Sequence, residues 1–254
     1  MAIHGEITPK PKYAIFADTG WEPQGVYDHL TWLKSYSLEN GIEIIETNAG
    51  NIREDIVSAA LYKTRTANMP YHVKSPDGDI GMIPRGCTGD YKIDALNKAA
   101  RTLLGYKPKM RMPAGALTKW MGISWDEIQR MRTSRNKWEI LRYPLIEKKM
   151  TRLDCMNWLQ RNEYNIPPKS SCIGCPFHSD NLWLDMKRRS PEEFQQAVDF
   201  ERVLHENGLR KMKGKLFLHK SCVPLDQVDL NENQIEMEFN DDGFINECAG
   251  ICGV

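Results

Sequence analysis

The sequence predicts an α/β protein: a parallel sheet flanked by helices over residues 1–150, then a mostly helical cysteine-containing region over 151–223 and an acidic tail over 224–254. Three observations predict it. Short apolar runs alternate with helix-period segments in the first half, the pattern of a parallel sheet covered by helices. Helix signals dominate after residue 150. From Pro224 onward the chain carries acids and no Lys or Arg.

Tyr13 to Ala17 reads as a buried strand that ends in the tight turn Asp18-Thr19-Gly20. Val26, Leu30 and Leu33 then recur at helical spacing until Asn40-Gly41 stops the pattern. Ile42 to Thr47 is the next strand, and Asn51 caps a helix running towards Tyr62. Between Lys63 and Gly86 the prolines and Asp77-Gly78 predict a long loop, of the kind that is usually functional. A helix follows over Asp90 to Leu104, then a strand within Ala116 to Ile123. Ser124 with Glu127 forms the letters of a capping box for a helix carrying Arg130, Arg132 and Arg135. Thr151 with Asp154 caps another helix. Ile166-Pro167-Pro168 makes a rigid approach to the Cys172 loop, and Ser190-Pro191-Glu192-Glu193 opens a helix that Asn207-Gly208 ends.

The 254 residues are enough to bury a core without disulfide staples. Thirty-four basic residues balance thirty-four acidic ones, so the whole molecule has no field that attracts nucleic acid or anionic membrane. The balance is not local. Basic residues greatly outnumber acids from Arg101 to Arg152, which is either a solvated face or a surface for anions. No apolar run approaches the roughly 20 residues of a membrane span, and Met1 to Lys12 has no segment of signal-peptide type, which predicts a cytoplasmic protein. Its seven cysteines are then expected as thiols, for metal binding or catalysis before disulfides.

Cys172-Ile173-Gly174-Cys175 is the sharpest local signal, because two thiolates spaced by two residues can point at one metal from a single turn. Half of a zinc site, part of an iron–sulfur site and a redox dithiol all fit the spacing. Two cysteines cannot complete a tetrahedral shell, so partners must come from elsewhere. Cys87 precedes a helix whose first turn favours a thiolate. Cys222 lies beside His219 and Lys220, and His178 follows the pair closely. Cys155 on its helix reads as a small buried hydrophobe. Asp18-Thr19-Gly20 closes a strand where open α/β sheets bind ligands. Arg130, after Gly122-Ile123-Ser124-Trp125-Asp126-Glu127, suits phosphate or sulfate oxygens, or else an exposed cationic face.

Taken in order, Phe16-Ala17-Asp18-Thr19-Gly20, Cys87 with Lys92, Gly122-Ile123 with Glu127 and Arg130, Tyr143-Pro144-Leu145-Ile146 and Ser171-Cys172-Ile173-Gly174-Cys175 resemble the phosphoadenylyl-sulfate reductase family. That family belongs to the adenine-nucleotide alpha-hydrolase, or PP-loop, superfamily. The resemblance covers roughly Tyr13 to Cys175 and is most marked to reductase-like proteins of phages and bacteria, which share Cys-Pro-Phe-His after the pair. It implies a five-stranded parallel sheet that binds ATP or another adenylyl nucleotide, with Asp18, Thr19, Gly20, Lys92, Gly122 and Glu127 on the nucleotide side. It implies sulfonucleotide reduction or sulfur transfer, with Arg130 and Arg135 near the oxyanion, and a four-iron four-sulfur cluster held by cysteines.

The chain departs from the family in three places. Thr88 stands where a second adjacent cysteine would follow Cys87, leaving Cys87, Cys172 and Cys175, with Cys222 as candidate fourth ligand. Three cysteines also resemble the cluster of PP-loop RNA thiolation enzymes, which makes a nucleic-acid sulfur acceptor, RNA or DNA, a second expected partner. The Ser-Gly-Gly-rich phosphate loop does not appear before Asp18, so either the biological start lies upstream or the cradle and its central strand are lost. Glu247-Cys248-Ala249-Gly250-Ile251 loosely resembles the segment that carries the family's nucleophilic cysteine, which makes Cys248 a catalytic candidate and leaves it, with Cys252, open as a reactive terminal pair. The competing reading is a non-catalytic module that binds nucleic acid or protein, with structural zinc at Cys172 and Cys175.

Overall fold

The computed structural model describes residues 1–66 and 69–230. Strand β1 (Tyr13–Asp18) leads through helix α1 (Gln24–Glu39) to β2 (Glu43–Asn48), which pairs with it in parallel register from Tyr13 opposite Glu43 to Asp18 opposite Asn48. Helix α2 (Ile52–Tyr62) follows, and the Asn51 side chain accepts from the backbone N–H groups of Arg53 and Glu54 at 3.0 and 3.1 Å.

The segment expected as a long loop contains a hairpin, β3 (His72–Lys74) and β4 (Ile80–Met82), closed around Asp77-Gly78. A π-helical turn (Thr88–Ile93) then runs into α3 (Asp94–Leu103), which packs on β1 and β2. Strand β5 (Leu117–Trp120) pairs in parallel with β6 (Glu139–Arg142), a strand the sequence did not reveal. Next come α4 (Pro144–Glu147), α5 (Arg152–Arg161), α6 (Asp180–Arg189), α7 (Pro191–Asn207) and β7 (Lys215–Phe217), the last pairing with β3. The capping box at Thr151 and Asp154 is formed, and among the described residues no helix is long and apolar enough to cross a membrane.

Two expectations need correction. The protein is α/β, but among the described residues its strands form three small sheets, β1-β2, β4-β3-β7 and β5-β6, in place of one flanked parallel sheet. The helix expected from Ser124 is a short 3-10 turn (Trp125–Arg130) with non-helical backbone at Glu127. The Ser124 side chain makes no cap bond to the backbone; its hydroxyl faces the Glu127 carboxylate, which Arg130 and Arg152 also hold.

The core also sits elsewhere than a doubly wound sheet would put it. No residue of β1, β2 or β5 is fully buried, and β6 buries only Glu139. Tyr13 to Ala17 is thus a strand but not a buried one. The main core draws on both sides of residue 150. Ile52, Ile56 and Ala60, one turn apart on α2, meet a stripe of α7 that includes Phe194, Ala197, Val198 and Leu204, with Trp183, Phe200, Leu216 and Leu218 filling the rest. Within it the Glu201 carboxylate accepts from the backbone N–H groups of Leu218 and Leu225, at 2.8 and 2.6 Å. Burial pushes that carboxyl's pKa up, and the two backbone donors oppose the shift.

Candidate functional site

Where β1 ends, the turn that follows drops Thr19 into a cavity of about 300 Å³. Gly20 permits this turn: its φ is +72°, and a Cβ there would come within 3.0 Å of the Asn51 backbone. The Asp18 carboxylate fixes the same turn by accepting from Gly20 N at 2.8 Å and from the Tyr27 hydroxyl at 3.0 Å. Asp18 and Gly20 therefore shape the wall, while Thr19 lines it.

The late cysteine turn forms the adjoining wall. Cys175 N donates to Cys172 O at 2.9 Å, and Ile173 N donates to Trp21 O at 2.9 Å, which ties this turn to the one after β1. Gly174 lies flat on Trp21, where a Cβ would meet the ring at 2.3 Å. Cys172, Cys175 and Cys87 all line the cavity, so the early and late thiols converge although 85 positions separate Cys87 from Cys172. Cys87 arrives at the head of the π-helical turn, whose wider winding carries Thr88 and Lys92 to the same wall.

Cations surround these thiols. Arg85, Lys92, Arg130 and Lys169 line the cavity, and Arg85 also lies 5.7 Å from the Phe177 ring centroid. Arg130 is oriented by the Glu127 carboxylate, which also holds Arg152 at 3.3 Å. One buried acid faces the group from below. Glu22 accepts from the Thr19 hydroxyl at 2.9 Å, and the Cys172 sulfur lies 3.1 Å from that hydroxyl and 3.8 Å from the carboxylate. With the Thr19 proton committed to Glu22, Cys172 fits as a thiol donating to Thr19. Burial first and Glu22 second push its pKa well up, against the pull of Lys92.

His178 completes the wall as a neutral ring. Burial, with Lys169 adding to it, holds its pKa down at about 3. Nε2 is 2.9 Å from Ser171 Oγ, the ring stands edge-on to Trp183, and Nδ1 is buried with no partner.

The remaining candidates lie outside. Gly122 follows β5 and does not reach the cavity; Glu127 acts only through Arg130. Arg135 is exposed, because the 3-10 turn ends at Arg130 and the chain continues as a loop. Cys222 is buried in a left-handed backbone conformation beside Lys74 and Glu201, apart from the other thiols, and burial raises its pKa. Cys155 is half-buried on α5. Cys248 and Cys252 fall outside the described residues. Glu22, Arg85, Lys169 and Phe177 escaped the sequence reading. Arg85 and Lys169 were signalled only by standing two and three residues before cysteines, and Glu22 only by following Thr19 at three residues, its other partners Ser170 and Cys172 being distant in the chain.

Among the described residues, no three His, Cys, Asp or Glu side chains come close enough together to share one metal ion. Cys87, Cys172 and Cys175 share the cavity lining with four cations, whose charge would suit an anionic group bound among them. Comparison with protein-family models, curated proteins and solved structures gave no match.

Proposed function

We propose that the protein carries out adenylyl-nucleotide-dependent sulfur chemistry, either sulfonucleotide reduction or sulfur transfer, in the cavity between the Asp18-Thr19-Gly20 turn and the Cys172–Cys175 turn. One observation carries the reading: three thiols from two distant segments share one cavity with four cations. A volume of about 300 Å³ is at the lower end of small-molecule sites and suits one anionic group with part of a nucleoside.

In this reading Cys87, Cys172 and Cys175 hold a four-iron four-sulfur cluster, which supplies electron transfer or a labile sulfur position. Arg85, Lys92, Arg130 and Lys169 bind the sulfate or phosphate end. Guanidinium groups and ammonium groups fixed before the reaction stabilise charge that develops on its oxygens at no cost in reorganisation. Glu127 positions Arg130, and Thr19 with Glu22 holds the Cys172 proton until the sulfur is engaged. The adenylyl specificity comes from the family resemblance, the anion preference from the cavity itself.

The test is anaerobic purification with iron, sulfide and visible-absorption analysis, followed by thermal shift with AMP and ADP. The reading expects iron and sulfide in the wild type, their loss in Cys87→Ser, Cys172→Ser and Cys175→Ser, and stabilisation by nucleotide that Arg130→Ala weakens. Neither iron nor nucleotide response would overturn it. A zinc-containing binding module is favoured by one feature: the Cys172–Cys175 turn is built into the core, with Ile173 buried and Gly174 on Trp21. That module would show one equivalent of zinc and no response to nucleotide.

A further inference from the structure

We propose that single-stranded nucleic acid docks on the surface formed by the loops before β5 and β6 and runs from there to the cavity. The inference rests on the sulfur-chemistry reading only in that it gives that chemistry an acceptor. The docking surface itself stands on charge, exposure and connectivity.

Residues 95–125 and 128–138 contain no Asp or Glu, yet they carry Lys107, Lys109, Arg111, Arg130, Arg132, Arg135 and Lys137 among their basic side chains. The two loops enter the β5–β6 pair side by side. Gly115 N donates to Lys137 O at 3.0 Å, and Leu117 N to Trp138 O at 3.1 Å. Lys107, Lys109, Arg111, Arg135 and Lys137 are exposed there. The second loop begins at the cavity, since Arg130 lines it, so the cationic path is continuous with the proposed site. From Arg130 to Lys137 the chain spans at most roughly 25 Å, the length of a few nucleotides.

The same loops expose apolar side chains: Met110 (48% exposed) and Met131 (51%) stand between cations, and Trp125 and Ile128, each 39% exposed, flank Asp126 and Glu127, the latter held by Arg130 and Arg152. Backbone phosphates satisfy the arginines and lysines, and bases lie against apolar and aromatic faces, so a polymer alternating anion with flat ring matches the surface better than an acidic peptide. The cavity is too small for a duplex, and an unpaired nucleotide is the form that could enter it.

The probe is a fluorescein-labelled single-stranded oligonucleotide of about 12 nucleotides, within the usual footprint of such sites. Its anisotropy is followed in RNA and DNA arms, with a duplex and anionic phosphatidylserine vesicles as competitors. Binding in either single-stranded arm is expected. Arg135→Glu/Lys137→Glu and Lys107→Glu/Lys109→Glu should each weaken it at least about tenfold and flatten the salt dependence by about 0.7 log units per lost contact. Both variants should keep the wild-type thermal shift with AMP, which shows that the fold and cavity persist. Unchanged affinity in both variants overturns the proposal, as does a preference for duplex or tight vesicle binding without oligonucleotide binding. Failure of the sulfur reading is seen separately, as missing iron and no AMP response while the oligonucleotide still binds.

Discussion

The cavity's thiols and its Arg130 are anchored very differently. The cysteine turn belongs to the core, where Cys172 and Ile173 pack in one cluster with Trp183, Phe200 and Leu204. Arg130, unlike Arg85, Lys92 and Lys169 on the cysteine-bearing segments, hangs from the 3-10 turn between β5 and β6, a layer with a small separate cluster of Met121, Ile123 and Tyr143 and almost no buried strand residue. In the proposed reading sulfur ligands need fixed geometry, and a docking surface needs access. The division teaches that stability and anion recognition should respond to different mutations.

The largest effect tests that division directly. Phe200→Ala removes a fully buried ring from α7 and should cost about 3–5 kcal/mol in urea unfolding, whereas Phe16→Ala on half-buried β1 should cost less than about 2 kcal/mol. Equal costs would mean that the parallel pairs carry as much of the fold as the helical core, and the comparison would fail.

Acid probes the same core through His178. Its folded pKa of about 3 lies below its ordinary value of 6.5, so the unfolded chain takes up a proton that the folded protein refuses. Its contribution to stability is complete above pH 6.5 and falls away as pH drops towards 3. Between pH 6.5 and 4.5 the loss should reach roughly 2.3 kcal/mol, the slope rising to about 1.4 kcal/mol per unit once the unfolded ring is fully protonated. His178→Phe keeps a ring against Trp183 and abolishes this titration, so the stability gap between wild type and variant should change by that amount. A gap that stays constant with pH would show that the ring is not held neutral.

Gly174→Ala should cost about 1–3 kcal/mol, because the new methyl meets the fixed Trp21 ring, while Gly122→Ala, with nothing within 4 Å, should cost almost nothing. In the proposed iron–sulfur reading the first change should also lower iron retention by shifting Cys175. Full stability in Gly174→Ala would show that the turn is not seated in the core.

Much of this division was legible in the chain, but only where local chemistry decides. Asn51 and the Thr151–Asp154 box cap helices as their letters say, because a cap bond spans at most three residues. Cys87, Cys172 and Cys175 line one cavity, a grouping that the order of motifs suggested and no periodicity did, but among the described residues they do not gather into a group that could hold one metal ion. The same letters misled at Ser124, where Glu127 had a stronger partner in Arg130 than any backbone N–H. Strands of three residues such as β3 and β7 have too little alternation to register, and their pairing, His72 with Phe217 across 145 positions included, is decided by the core. For the same reason the alternating pattern foretold strands but not which edges would meet, and Glu22 could be recognised only once Thr19 and Cys172 stood beside it.

The smallest effect is the sharpest. Asn51→Ala and Thr151→Ala each delete an N-cap side chain and should each cost about 1 kcal/mol locally. They differ in what lies behind the cap. Helix α2 buries Ile52, Ile56, Ala59 and Ala60, so loosening its first turn disturbs the core, and Asn51 also bonds Gly20 O at the cavity rim. Helix α5 has no fully buried residue, and its Trp158 stacks on Tyr164 near the surface. Native-state hydrogen exchange should therefore show Asn51→Ala speeding the slowest amides of α2 and α7 together, and Thr151→Ala speeding only α5. If Thr151→Ala accelerated the core amides as well, α5 would unfold with the rest of the molecule and the two halves would be one cooperative unit.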